Sequence, residues 1–203
     1  MHPALPLLLS CSLVAADPPP ALDEAFFNRE RIQILKSLAD RLGSLKPDDP
    51  RYMADCARAH LAALDLAKAR ELFKAAEARD PKDGMLLRQI GLAWLKHGHR
   101  DEAFGTYRLI LQRDPKNKEA LLSSAVDLAE LGQTAEAEKF SAAYLALEKD
   151  DWRAFVAFGR AYLVSGQRQK AAQWFARGVA SKPKEEKVYQ DILRAFTETQ
   201  SVF

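Results

Sequence analysis

Apolar residues recur along the chain at steps of three and four positions, a pattern that predicts amphipathic helices. Two successive stripes in the middle of the chain are Leu87, Ile90, Gly91 and Trp94, then Ala103, Tyr107 and Ile110. Sixty-eight residues later the same places hold Phe155, Phe158, Gly159 and Tyr162, then Ala171, Phe175 and Gly178. Each stripe must be buried against a neighbour, so the pattern predicts packed pairs of helices.

Four further series of residues share a period of 34 positions. They are Pro47, Pro81, Pro115 and Pro183; Ala69, Ala103, Ala137 and Ala171; Gly98, Gly132 and Gly166; and Asp49, Asp83, Asn117 and Asp151. The Asp and Asn residues can accept a hydrogen bond from the first turn of a helix, and the glycines suit turns with positive φ. The alanines leave room for close helix contact, and the prolines end the second helix of each pair.

This pattern resembles the tetratricopeptide repeat (TPR), a 34-residue helix–turn–helix. The resemblance implies an all-α fold, a right-handed TPR helical solenoid. It would contain about four helix–turn–helix repeats, a C-terminal capping helix and an N-terminal helix. The array covers residues 47–185, with units at 50–83, 84–117, 118–151 and 152–185. The first unit has Leu64 at the turn glycine, and the third has Lys149 in place of the proline.

Amphipathic segments flank the array and predict a cap at each end. Residues 23–46 form the predicted N-terminal helix. Pro47 lies in phase with the other prolines of the repeat, so the C-terminal part of this helix would act as a second helix without a first helix to pair with. Residues 186–203 form the predicted capping helix and tail. They continue the first-helix pattern, and we expect Arg, Glu, Gln and Thr on their outer side.

The N-terminal residues 1–16 contain no Asp, Glu, Lys or Arg and end in a small-x-small pattern, which predicts a signal peptide cleaved after Ala16. Residues 17–22 would then be a linker, and the mature protein would be exported, periplasmic or secreted. In a second interpretation, residues 8–11 resemble a bacterial lipobox, the signal ends before Cys11, and a lipid on Cys11 anchors the protein to a membrane. A wrongly assigned start codon is a third interpretation, because residues 1–16 lack the Lys or Arg expected near the start of a signal peptide.

Composition narrows the function classes. Among 203 residues, 30 Lys and Arg balance 28 Asp and Glu to a net charge of +2, which argues against a dedicated nucleic-acid binder. The sequence has no phosphate-binding glycine loop, no Gly-x-Ser-x-Gly motif and no set of His and Cys with metal-ligand spacing. We therefore predict no enzyme activity, cofactor, metal site or small-molecule substrate.

The resemblance also implies a binding groove, because TPR proteins line their concave face with the second, fifth, ninth, twelfth and thirteenth residues of each unit. The 25 such positions here hold eight basic and three acidic residues, so positive charge is concentrated there. The predicted partner-binding residues are Arg51, Arg58, Leu61, Met85, Arg88, Leu92, Leu95, Lys96, Leu122, Val126, Arg153, Val156, Arg160, Leu163 and Arg194.

These residues predict a non-enzymatic scaffold in the cell envelope that binds an acidic and aliphatic peptide or helix. Exported TPR proteins of this size resemble assembly factors for a pilus, secretion or outer-membrane system. The expected partner is a protein or peptide, not a nucleic acid, and the protein is a monomer or weak homo-oligomer. One alternative is a self-assembling structural protein that docks its cap or N-terminal helix in a neighbour's groove. The other is a cytosolic secretion chaperone.

Overall fold

The computed structural model describes residues 30–199, and within that range it contains ten α-helices and no strand. The helices are α1 (Arg31–Leu45), α2 (Pro50–Ala62), α3 (Leu66–Arg79), α4 (Gly84–Lys96), α5 (Arg100–Arg113), α6 (Lys118–Glu130), α7 (Thr134–Leu147), α8 (Trp152–Val164), α9 (Arg168–Ser181) and α10 (Glu186–Thr199). None of these ten helices is long and apolar enough to cross a membrane.

The described helices pair along the chain into four hairpins: α2 with α3, α4 with α5, α6 with α7, and α8 with α9. Helix α1 packs against α2, and α10 packs against α8. The predicted all-α solenoid, with a helix at each end of the array, is confirmed. The predicted signal peptide, the linker, residues 23–29 and the tail 200–203 lie outside the described residues.

Each first helix of a hairpin begins at a polar residue of the 34-residue series. Asp83, for example, accepts hydrogen bonds from the backbone N–H groups of Met85 at 2.9 Å and Leu86 at 3.0 Å. The equivalent caps in the other hairpins are Asp49, Asn117 and Asp151. These side chains satisfy N–H groups that the helix itself leaves free, so local sequence defines the start of each unit.

The turn inside each hairpin needs one residue with positive φ. Gly98, Gly132 and Gly166 adopt φ of 82°, 70° and 76°, and Leu64 takes the same place in the first hairpin with φ of 61°. A side chain in this conformation costs about 1–2 kcal/mol. The first turn therefore keeps the shared geometry despite its unfavourable residue.

Within a hairpin the two helices approach closely where the first helix carries a small residue. A Cβ added at Gly159 would lie 2.5 Å from the ring of Phe175, and one at Gly91 would lie 3.0 Å from Tyr107. The aromatic rings thus pack directly on the backbone of the first helix. The buried side chains of successive hairpins join into one core along the array.

The first helices α2, α4, α6, α8 and α10 pack against one another more closely than the second helices α3, α5, α7 and α9 do. Because neighbouring units are closer on the side of the first helices, the array bends toward that side. The exposed face of the first helices is therefore the inner face, and we call it the groove.

We predict that Gly159→Ala destabilises the protein by about 1–3 kcal/mol, because the new methyl group would clash with the Phe175 ring. Gly105→Ala is the matched control in the interior of α5. A Cβ there meets nothing within 4 Å, so the change should stabilise the helix by about 0.5–1 kcal/mol. Urea unfolding followed by circular dichroism measures both. Equal midpoints for the two variants would contradict the close-approach interpretation.

Candidate functional site

The predicted groove residues all lie on first helices. Four of the apolar ones, Met85, Leu92, Leu122 and Val126, are half-buried and reach the surface from α4 and α6. They belong to two adjacent hairpins. Together they form a short apolar strip in the middle of the groove, where a ligand's aliphatic side chains could pack.

Three other apolar residues were predicted wrongly as groove floor, because Leu61, Leu95 and Leu163 are buried in the continuous core. Val156 is also largely buried, but it lines a cavity between α8 and α10. Leu61, Leu95 and Leu163 occupy the twelfth position of their units. The first helices pack so closely that such side chains are covered by protein and cannot contact a ligand.

An ion pair occupies the middle of the groove. Arg88 of α4 donates to Asp127 of α6 in a two-pronged contact, from Nε to Oδ2 at 2.6 Å and from Nη2 to Oδ1 at 2.9 Å. The two side chains are 22% and 11% exposed. The hydrogen bonds to Asp127 raise the pKa of Arg88 above its usual range. The main contact of Arg88 is therefore this ion pair, which connects two hairpins, and not a contact with a ligand.

Asp127 is not among the predicted groove residues, although the sequence contains a signal for it. The 34-residue period places alanines at the same position of the other units, and Asp127 interrupts that series. The alanines are Ala59, Ala93, Ala161 and Ala195. A charged residue at a position that otherwise holds alanine needs a partner once it is buried, and Arg88 supplies it.

Most of the other predicted basic residues also have acidic partners. The pairs are Arg51–Asp83 at 3.1 Å, Arg58–Asp55, Arg160–Glu198 at 2.9 Å and Arg194–Asp191 at 3.8 Å. These partners lie on the same first helix, on the next one or, for Asp83, at the cap just before the next one. The positive charge counted from the groove positions alone is therefore largely neutralised by neighbours at other positions of the repeat.

Arg153 and Lys96 have no ion-pair partner among residues 30–199. The guanidinium of Arg153 lies 4.7 Å from the ring centroid of Trp152, and it stays exposed. Between α8 and α10 it borders a cavity of about 380 Å³. Charged residues dominate the lining, namely Arg153, Arg160, Lys187, Arg194, Asp191 and Glu198. This end of the groove carries a net excess of two positive charges.

Toward the centre of the groove, acidic side chains offset the basic ones. Partial burial, together with the nearby Asp127 carboxylate, raises the pKa of Glu130. The cations Arg160, Lys96 and Arg88 act in the opposite direction, but their effect is smaller. The groove therefore has a basic end at α8 and α10 and a self-compensated middle at α4 and α6.

A second cleft, which was not predicted from the sequence, lies on the opposite side, between α3 and α5. It has a volume of about 550 Å³, and Phe73, Ile90, Trp94 and Leu109 are among its lining residues. Thr106 stands there at the position where the other hairpins hold Leu72, Phe140 and Trp174. The small side chain explains why this cleft is open in the second hairpin.

Reactive chemistry is sparse in the described part of the chain. Cys56 is buried, its Sγ donates to the carbonyl oxygen of Ala39 at 3.1 Å, and burial raises the pKa of the thiol, which disfavours a reactive thiolate. Between residues 30 and 199 no group of three or more His, Cys, Asp or Glu side chains could hold a metal ion. Cys11, the predicted lipidation residue, lies outside the described residues.

These hairpins define a class of protein, the all-α repeat solenoid. Residues 55–118 match the family model described as Tetratricopeptide repeat. The matched segment runs from α2 into the start of α6, and the same 34-residue register continues through α10. The matched segment therefore carries tetratricopeptide repeats, and the other described hairpins share their helix–turn–helix arrangement and their register. No curated protein sequence matches the chain significantly.

Several solved structures resemble the chain in fold. Two crystal structures of MamA align with TM-scores of 0.47 and 0.46 at 14% identity, covering 77% of this chain and 85% and 91% of theirs. The crystal structure of YrrB, described as a TPR protein with an unusual peptide-binding site, aligns with a TM-score of 0.45 at 18% identity. That alignment covers 82% of this chain and 84% of YrrB.

We predict that Arg88→Met and Asp127→Ala each destabilise the array, because each leaves one charge of a partly buried pair uncompensated. The double variant should be destabilised by less than the sum of the single variants, with a coupling energy of about 0.5–3 kcal/mol. Urea unfolding of all four proteins measures the coupling. The exposed pair Lys187–Asp191 serves as a control and should couple weakly. Additive effects at Arg88 and Asp127 would show that the contact does not brace the two hairpins.

Proposed function

We propose that this protein is a non-enzymatic scaffold that binds an acidic and aliphatic peptide or helix along the groove. One observation carries the proposal: a cavity rich in exposed cations at α8 and α10 lies on the same face as the apolar strip of α4 and α6. Guanidinium groups bind carboxylates in a two-pronged geometry, and exposed aliphatic side chains bury against matching ones.

The distribution of charge along the groove predicts the orientation in which the ligand binds. Its acidic segment lies over α8 and α10, where Arg153 has no ion-pair partner among residues 30–199. Its aliphatic segment lies over Met85, Leu92, Leu122 and Val126. In between, Asp127 already occupies the guanidinium of Arg88, and Glu130 adds negative charge, so additional acidic groups are disfavoured at the centre.

We expect Arg153→Glu to weaken binding of such a ligand about tenfold, because it removes a cation that has no ion-pair partner in the described part of the chain and adds a repulsive charge. The probe is a set of fluorescent peptides with glutamates at one end and leucines at the other, titrated by anisotropy. Arg108→Glu, an exposed arginine on the second helix α5, is the matched control and should bind like the original protein. Equal binding by both variants would remove the groove proposal.

Arg88 is less suitable for this test, because Arg88→Glu would face Asp127 and disturb the packing of two hairpins. A second arm uses Leu92→Ser, which shortens the apolar strip at a half-buried position. It should weaken peptides with leucines and leave all-glutamate peptides unaffected. The pair of variants separates the acidic contact from the aliphatic one.

We further propose that the scaffold acts in the cell envelope, as an assembly factor for a pilus, secretion or outer-membrane system. The support is the uncharged apolar run of residues 1–16 with its small residues before Asp17. In this proposal the protein is exported to the periplasm or beyond. A lipid on Cys11 would instead anchor it to a membrane.

Mass spectrometry of the protein from its source cells tests the location. We expect a mature chain that begins at Asp17, because Ala16 ends the small-x-small pattern. A chain that begins at a lipid-modified Cys11 would support the anchored form. An intact N-terminus in the cytosolic fraction would contradict export and favour a cytosolic secretion chaperone.

A further inference from the structure

The last helix, α10, leaves an apolar stripe exposed. Tyr189, Leu193 and Phe196 lie on one face at steps of four and three, and they are 47%, 66% and 46% exposed. The sequence pattern predicted polar residues on the outer side of this helix, and that prediction is wrong for these three. Val188 and Ala195 are buried and hold α10 to the rest of the array.

The repeat explains what this stripe corresponds to. Tyr189, Leu193 and Phe196 occupy the fourth, eighth and eleventh positions of a unit that begins at Glu186. In the four hairpins these positions pack against the second helix, and all but the half-buried Met53 are buried. They are Met53, Ala57 and His60; Leu87, Gly91 and Trp94; Leu121, Ala125 and Leu128; and Phe155, Gly159 and Tyr162. Helix α10 is therefore a first helix that has no second helix between residues 30 and 199.

Helix α1 presents the opposite case. Pro47 follows it in the proline series, so Leu35, Ala39 and Leu42 hold the places that Ala69, Phe73 and Ala76 hold in α3. Helix α1 packs against α2, where Cys56 donates to the carbonyl oxygen of Ala39. Among residues 30–199 it has no first helix of its own. Leu35 and Leu42 are only half-buried, and Leu45 is 68% exposed.

We propose that copies of this chain associate head to tail, with α1 of one copy packed on α10 of the next as the second helix of a composite hairpin. Such a hairpin would continue the solenoid in register. The stripe of α10 would be covered by the residues that α1 now leaves half-buried.

Side-chain sizes at the central contact match this arrangement. In the hairpins, the eighth residue is small where an aromatic ring packs on it: Gly91 faces Tyr107, and Gly159 faces Phe175. In α10 the eighth residue is the large Leu193, and α1 carries the small Ala39 at the position of those rings. Large and small residues have exchanged sides. Ala39 is only 3% exposed in a single copy, so Leu193 of a second copy would pack beside it, against the half-buried Leu35 and Leu42.

The charges at the end of the composite hairpin are also complementary. In the third unit, Lys118 at the first position forms an ion pair with Glu148 at the thirty-first. In the composite hairpin the same positions hold Glu186 and Lys46, an opposite-charge pair with its signs reversed. Glu186 accepts a hydrogen bond from Gln190, and neither Glu186 nor Lys46 has an ion-pair partner in the described range.

An apolar pair completes the contact. Between the first two hairpins, Glu77 at the twenty-eighth position pairs with Arg113 at the thirtieth position of the next unit, at 3.0 Å. Across the proposed junction those positions hold Val179 and the exposed Leu45 of the next copy. The polar pair between interior hairpins is thus replaced by an apolar pair at the place where two copies would meet.

The same observations favour this contact over a symmetric pairing of two α10 helices. A symmetric pair would cover three side chains per copy, which is small for a stable interface, and would leave Leu45 and Lys46 unused. The head-to-tail contact uses two different surfaces, so it is heterologous and open-ended and makes linear chains. Such chains would also keep the groove continuous from one copy to the next.

Sedimentation velocity of the full chain over a concentration series tests the proposal. We expect the mean mass of the original protein to rise with concentration. Leu193→Glu blocks α10 and Leu45→Glu blocks α1, so each variant alone should remain monomeric. Their mixture retains one intact pair of surfaces and should form a one-to-one dimer. Leu131→Glu, an exposed leucine in the turn of the third hairpin, is the control and should associate like the original protein.

A charge-exchange series checks the register. Glu186→Lys and Lys46→Glu should each weaken association, and the double variant should restore it, because the pair is re-formed with opposite signs. A monomeric original protein at all concentrations would overturn the proposal. So would a mixture of the two blocked variants that forms no dimer. Loss of association in Leu193→Glu, with no effect of Leu45→Glu or Lys46→Glu, would indicate symmetric α10 pairing and overturn it as well.

Discussion

The close approach of the two helices in each hairpin is the constraint on which the rest of the structure depends. Small residues at the eighth position, such as Gly91 and Gly159, let an aromatic ring pack on the helix backbone. This contact sets the distance within a hairpin. The close packing of the first helices then sets the direction in which the array bends and the side on which a ligand can lie.

In the resulting groove, acidic neighbours neutralise most of the positive charge that the basic residues alone would give. The partly buried Arg88–Asp127 pair connects two hairpins, and it stabilises their arrangement at the expense of a free guanidinium. Exposed pairs such as Arg160–Glu198 are weaker and can exchange partners with a ligand. Selectivity for an acidic ligand therefore depends on the end of the groove at α8 and α10, where Arg153 has no ion-pair partner within residues 30–199.

The ends of a solenoid determine whether it stays a single unit, because each end exposes a surface that the interior repeats cover. Here the two ends are unlike: α10 exposes Tyr189, Leu193 and Phe196, and α1 exposes Leu45 beside the half-buried Leu35 and Leu42. Unlike ends favour a directional contact over a symmetric one. When copies associate in this way, a ligand with repeated binding segments would contact more than one array at once. The affinities of the separate contacts would then combine.

The sequence by itself determined the period, the caps, the turns and the all-α fold, because these depend on local backbone geometry and repeat every 34 residues. Asp83 at a helix start and Gly98 in a turn could be interpreted without any tertiary information. Only the tertiary structure decided which groove positions reach solvent and which charges are already paired. Leu95 is buried and Arg88 is bound to Asp127 because two neighbouring first helices lie close together, and that distance is a property of the stack, not of any single unit.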